Sequence, residues 1–391
     1  MRMKKLMILA VAAIALVACS KTFDTGVRTN EGKAIGFGTW AEQLTKAARV
    51  PGTSTFTASG YQDNDFAVYG YKYKTSKTTV FDDVVVSTTD GSSWTYSPLK
   101  FWDSNFDKYV FYAVSPASFG TEGTVDPQTG AITTASITFT GNDNDLLIAN
   151  EKTVLKTAGS GNFDSFATVP LVFNHAAALV DVYVKKAPSL SADVVKISAM
   201  TIGNVYTAGT LNVNTYVDGV PTIALANWTP ATSGSYLPAN GVAPVYGDNG
   251  SSAIAADNKK TISSTDTTFD PENTTPDTTP AAATLLFNNL VVVPQSFVAP
   301  TDRANPADAS NAPAQKITIS YYIGDTDFAN RTIWLSDFDS IDDASQAATY
   351  VGSWEPGKHY SLYITILANA IQFSATIEDW ADVNGYHYLF N

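Results

Sequence analysis

Apolar and polar residues alternate with a period of two along much of the chain. The segment FAVYGYKY (66–73) alternates, and so does KYVFYAVSP (108–116). In LVDVYVKK (179–186), Val180, Val182 and Val184 share one face. In KITISYYIG (316–324), Ile317, Ile319, Tyr321 and Ile323 do the same. The clearest case is IQFSATIEDW (371–380): Ile371, Phe373, Ala375 and Ile377 are expected inside, with Gln372, Ser374, Thr376 and Glu378 outside. A two-residue period predicts strands with one buried and one wet face, as in antiparallel sandwiches. Helical spacing is scarce, with WAEQLTKAA (40–48) and IDDASQAATYV (341–351) as the candidates. The stretches 116–131 and 248–284, rich in Gly, Pro, Thr and Asp, read as loops. The second is expected to be a solvated insertion, whose threonine runs also offer sites for O-linked glycans. No repeat of solenoid length is visible.

The first 19 residues break the pattern. Arg2, Lys4 and Lys5 precede an apolar run from Leu6 to Ala18. That run is shorter than the roughly 20 residues a membrane-spanning helix needs, so it reads as a signal peptide. It ends in Leu16-Val17-Ala18-Cys19, which resembles the lipobox of bacterial lipoproteins; the resemblance implies a lipid on the Cys19 sulfur. Cys19 is the single cysteine, so no disulfide can form within one chain. Residues 20–33 are polar and read as a tether. Then AIGFGTW places Ile35 and Phe37 on one side of a short strand, ahead of Arg49 and a Val-Pro-Gly turn.

Composition sharpens the fold class. The chain is 45% hydrophobic and 12% aromatic, enough for substantial cores, and its wealth of Thr, Ser, Val, Tyr and Gly favours β structure. Its length allows two ordinary domains. Residues beyond Arg49 carry 16 basic and 34 acidic side chains, a net of −18, which disfavours nucleic acid and anionic lipid as partners. There are five arginines: Arg2, Arg28, Arg49, Arg303 and Arg331. Three therefore fall in the leader, and the next after Arg49 is more than 250 residues away.

Candidate chemistry is thin. His175, His359 and His387 show no metal-ligand spacing with one another or with Cys19, so no metal or cofactor is expected. His175 is expected to pack at a strand edge. Neither a phosphate-binding glycine loop nor a nucleophile elbow occurs, and no catalytic residue is assigned. GNDNDLLIAN (141–150) has the Asp-Asn alternation of a calcium loop but lacks its Gly and Glu; a turn into the strand 146–149 is expected. Trp94, Tyr96, Phe101 and Trp102 suit either sugar stacking or a core, the core being the commoner use of aromatics.

Several stretches in order resemble one family: the lipobox, AIGFGTW before TKAARV, 94–116, DLLIAN (145–150), VPLVFNHAAALVDVYV (169–184), LVVVPQ (290–295) and 354–380. The chain resembles the fimbrillins, subunits of type V fimbriae of Gram-negative anaerobes, through nearly its whole length. The resemblance implies an all-β protein of two tandem antiparallel β-sandwich domains. It implies a signal peptide (1–19), a tether with a cleavable first strand (20–49), and sandwiches at 50–168 and 169–391. It further implies a surface lipoprotein, held in the outer membrane through Cys19, that an arginine-specific protease cuts near its N-terminus. Release of the first strand, with Ile35 and Phe37, would open a groove that a terminal strand of another subunit fills.

Arg49–Val50 is the expected cleavage site, since a cut at Arg28 would leave AIGFGTW in place. The tail GYHYLFN (385–391) is the candidate donor, with Tyr386, Tyr388 and Phe390 on one face and His387 and Leu389 on the other. An edge strand within its own domain stands as the alternative for that tail. Two other functions remain open at this point: an uncleaved anchor or accessory subunit, and a surface glycan-binding lipoprotein.

Overall fold

The computed structural model describes residues 33–37, 65–88, 94–119, 124–125, 132–141, 145–158, 163, 168–169, 171–213, 216–217, 220–236, 260–262, 284–340, 349–368 and 370–379. Among them strands dominate, and helical structure is confined to one-turn 3₁₀ segments such as Pro188–Leu190 and Leu335–Asp337. No helix among the described residues is long and apolar enough to cross a membrane. Cys19, Arg28, Arg49, Val50, the helical candidate 40–48 and the tail 385–391 lie outside the described residues. Of the second helical candidate, Thr349–Tyr350 is strand, paired antiparallel with Asp339–Ser340; its β-branched and aromatic residues favour that state.

The first sheet is antiparallel. Its spatial order is Phe173–His175, Leu147–Ala149, Lys108–Ser115, Asp65–Tyr73, Lys77–Thr88 and Trp94–Thr95. Its central strands are buried on both faces, contrary to the expected wet side. One face carries Phe66, Val68, Phe81, Tyr109, Phe111 and Ala113. The other carries Tyr69, Tyr71, Tyr73 and Tyr112, with Tyr69 stacked on Tyr112 at 4.8 Å between ring centroids. Tyrosine accounts for the regular alternation, because it reads as apolar or polar according to which end of the ring is counted.

Two further sheets face each other. In one, Ala178–Lys186 lies between Thr284–Val292 and Lys358–Ile366, with Ile371–Asp379 beyond. In the other, the 19-residue strand Val195–Val213 is the spine, flanked by Lys316–Ile323 and Ile132–Thr140. Val180, Val182, Val184, Leu362 and Ile364 pack against Val195, Ile197, Ile202, Ile317 and Ile319 in one cluster, a sandwich core. Tyr321 joins that core, as its alternation predicts.

Three features depart from the pattern expected of the sequence. Ala178–Lys186 and Lys358–Ile366 run parallel, in register from Leu179↔His359 to Lys186↔Ile366. The long intervening chain supplies the crossover that a parallel pair requires. Second, Lys260–Ile262 is a strand within the expected loop 248–284, because Ile262 is buried against the spine strand. Third, Ile377 is 37% exposed although its alternation assigns it inside. Its strand has run past Ala375, the point where Ser340 flanks it.

Pairing does not partition at 168/169. Ile132–Thr140 pairs with the spine strand, and Phe173–His175 completes the first sheet. A cluster containing Val114, Ile148, Phe139, Leu179, Leu211 and Val291 joins the first sheet to the sandwich.

At Gly70 the inner face of the first sheet needs a missing side chain. A Cβ there would lie 2.8 Å from Phe81 and 2.9 Å from Phe111, closer than packed carbons tolerate. Gly70→Ala is therefore expected to destabilise by about 1–3 kcal/mol. Urea titration should show a lower midpoint at unchanged slope.

Candidate functional site: the seat of the first strand

A sheet with an apolar face requires a second layer. Over the phenylalanine face of the first sheet that layer is assembled from short pieces, and residues 33–37 are one of them. A β-branched and an aromatic residue separated by glycine favour an extended segment with both large side chains on one side. The structure places Ile35 and Phe37 there, 0% and 5% exposed.

The segment is bonded along both sides. Toward residues 100–102 it runs antiparallel: the Ile35 N–H donates to the Lys100 carbonyl at 2.8 Å, and the Trp102 N–H to the Lys33 carbonyl at 3.0 Å. On its other side Gly36–Phe37 runs parallel to Thr168–Val169. The Tyr96 hydroxyl donates to the Ile35 carbonyl at 2.5 Å and accepts the Lys100 N–H at 3.2 Å. Burial raises the pKa of that phenol, which keeps its donor proton in place.

Phe37 enters an aromatic socket. Its ring meets Phe81 at 5.4 Å, Tyr96 at 5.8 Å, and Phe66 and Phe111 at 6.1 Å, all edge to face. Each such contact adds roughly 0.5–1.5 kcal/mol beyond area burial. Val169, Leu171, Trp102 and Phe163 close the same cluster. Trp102 stacks on Phe163 and meets Tyr109 edge-on at 4.7 Å. The Tyr109 phenol is pushed up to about 12 by burial, against the lowering effect of the Asp103 N–H that it accepts.

The outward side differs. Here the segment presents Ala34 and Gly36, and its neighbour presents Leu99 and Phe101, the latter 50% exposed. Of the four aromatics that suited either role, Trp102 is core, Trp94 and Tyr96 pack partly buried against it, and Phe101 is open.

The remaining candidates lie elsewhere. His175, in the edge strand of the first sheet, holds Asp145 through Nδ1 at 2.6 Å. Leu147–Ala149 is the strand expected after that aspartate. His359 reaches Asp181 through Nε2 at 3.0 Å. Among the described residues no group of three or more His, Cys, Asp or Glu side chains could hold a metal. Sequence reasoning singled out Ile35 and Phe37 but missed their socket. The alternation that puts Phe66 and Phe111 on faces was legible; their convergence on Phe37 required the fold.

A family model described as fimbrillin-like matches residues 49–380. Among solved structures the chain is similar to a fimbrial protein from Bacteroides vulgatus, 18% identical, covering 81% of this chain and 93% of that one, with a TM-score of 0.42. It is also similar to the C-terminally truncated tip fimbrial protein Mfa3 from Porphyromonas gingivalis, 11% identical, covering 82% and 95%, with a TM-score of 0.32. No curated protein sequence matches the chain.

Phe37→Ala should cost about 3–5 kcal/mol in chemical denaturation, while Phe101→Ala should stay near 1 kcal/mol or below. In alkali the unfolded chain ionises Tyr109 first, near 10, and the folded chain near 12. Its contribution to stability is therefore present below pH 10 and lost as pH rises to about 12. Denaturation midpoints measured across that window should fall less steeply in Tyr109→Phe.

Proposed function

The chain belongs to the fimbrillin-like family, and from that premise we propose that it is a fimbrial subunit matured by losing its first strand. It is exported as a lipoprotein carrying its lipid on Cys19, which tethers it to the outer membrane. An arginine-specific protease hydrolyses the Arg49–Val50 bond and frees the leader, with Ile35 and Phe37. Residues from 50 onward form the body, two sandwich domains that trade strands across 168/169, Ile132–Thr140 going to the second and Phe173–His175 to the first. The protein works by assembly and adhesion and performs no catalysis.

The observation that carries this proposal is the seating of residues 33–37. Their two large side chains fill a socket built by residues 66–171, and their backbone is hydrogen-bonded on both sides. Withdrawal would uncover Phe66, Phe81, Phe111 and Val169 and unpair backbone groups at Lys100 and Trp102. Burying a Phe and an Ile again is worth roughly 3–6 kcal/mol in total. An emptied seat with two free edges therefore favours capture of a strand from another copy. The tail with Tyr386, Tyr388, Leu389 and Phe390 is the proposed donor.

Protein extracted from assembled fibres should begin at Val50, as read by N-terminal sequencing. An Arg49→Ala precursor should remain monomeric in size-exclusion chromatography under conditions where the processed chain forms ladders. Lipidated Cys19 on assembled material would instead assign the protein as an anchor that keeps its strand. Polymerisation of Arg49→Ala equal to wild type would remove the exchange mechanism.

A further inference from the structure

Two arginines, Arg303 and Arg331, lie among the described residues. Arg331 sits within the strand Thr326–Trp334, paired with Ile319, its guanidinium 5.5 Å from the Phe328 ring centroid. Arg303 stands differently. Its side chain is 57% exposed in a surface loop, the kind of place where proteases cut.

The loop is nevertheless tied on both sides of Arg303 by one buried residue. Asn311 is 2% exposed. Its Nδ2 donates to the carbonyls of Asp302 at 2.6 Å and Asn305 at 3.0 Å, and its Oδ1 accepts the Asp302 N–H at 2.9 Å. The Asp302 carboxylate in turn accepts the N–H groups of Ala304 and Asn305 at 2.9 and 3.2 Å. The backbone from 302 to 305 is thus bent into a turn with its polar groups engaged. The Arg303 side chain is engaged as well. Nε donates to Asp337 Oδ2 at 3.0 Å and Nη2 to Oδ1 at 2.7 Å, a two-pronged pairing.

An arginine-directed protease must draw out several residues and supply its own partner to the guanidinium. Here the backbone and the guanidinium are both already occupied, so cleavage waits on local opening. An exposed ion pair alone holds weakly, and the buried Asn311 is the stronger tie. We propose that Asn311 and Asp337 lock Arg303 against arginine-directed proteolysis, so that cutting is confined to the leader. The consequence for maturation rests on the processing described under Proposed function; the lock itself does not.

The full-length chain is incubated with an arginine-specific endoprotease, and fragments are followed by intact mass. Native wild type should resist cleavage after Arg303 over a time in which the urea-unfolded chain is cut there completely. Asn311→Ala should be cut after Arg303 at least about tenfold faster than wild type, with Asp337→Ala between the two. Arg331 serves as the internal control, because cutting there marks global unfolding. Should Asn311→Ala unfold globally, Asp337→Ala carries the comparison. Native wild type cut after Arg303 as fast as the unfolded chain overturns the lock, and so do two folded variants as resistant as wild type. The Arg49 bond is read as a separate fragment. Its survival would count against leader processing and leave the result at Arg303 standing.

Discussion

An apolar sheet face cannot be left to water, and much of the N-terminal half is organised around that requirement. The first sheet turns Phe66, Phe81 and Phe111 to one side. No long strand of the described chain lies across them. The covering layer is made from residues 33–37, the stretch around Trp102, Phe163 and the short pair Thr168–Val169. Because each piece is small, each is held by few interactions, and Phe37 contributes out of proportion to its length. Gly70 belongs to the same constraint: its missing side chain gives Phe81 and Phe111 the room to meet Phe37. Tyr96 belongs to it too, joining Ile35 and Lys100 through one hydroxyl.

The sandwich built on Val195–Val213 is assembled differently. Its spine strand is long, its core is mostly aliphatic with Trp354, Tyr321 and Tyr360 among it, and its central parallel pair is bonded over eight residues. Such an element gives up a strand only at the cost of a large cooperative core. A two-residue ladder with a five-residue segment asks far less. The contrast marks the covering layer as the more lightly held part, and the tied loop at Arg303 as a part held in place. Both depend on a buried side chain closing a structure that its own backbone could not hold.

Strand positions were legible because side chains alternate across a pleated strand whatever the fold. Val180, Val182 and Val184, and Ile317, Ile319 and Tyr321, could be assigned to a buried face on that ground. The rule fails where burial is two-sided. Tyr69, Tyr71 and Tyr73 lie on the face opposite Phe66 and Val68, yet both faces are buried. It fails also at strand ends, as at Ile377, where the pattern continues after the core has stopped. The strand Lys260–Ile262 was hidden because three residues in a polar stretch carry almost no periodic signal.

By itself the sequence determined the class of the protein: an all-β chain with a single cysteine and, beyond Arg49, an arginine-poor acidic remainder. It also marked Ile35 and Phe37 as a pair sharing one side of a short strand. Each of these follows from local chemistry, from side-chain type, spacing and charge. The tertiary structure alone decided what that pair touches, that its backbone runs parallel to Thr168–Val169, and that Asn311 ties the loop around Arg303. These contacts join residues far apart in the chain, and no local pattern encodes a partner. They are selected by the summed packing of whole sheets.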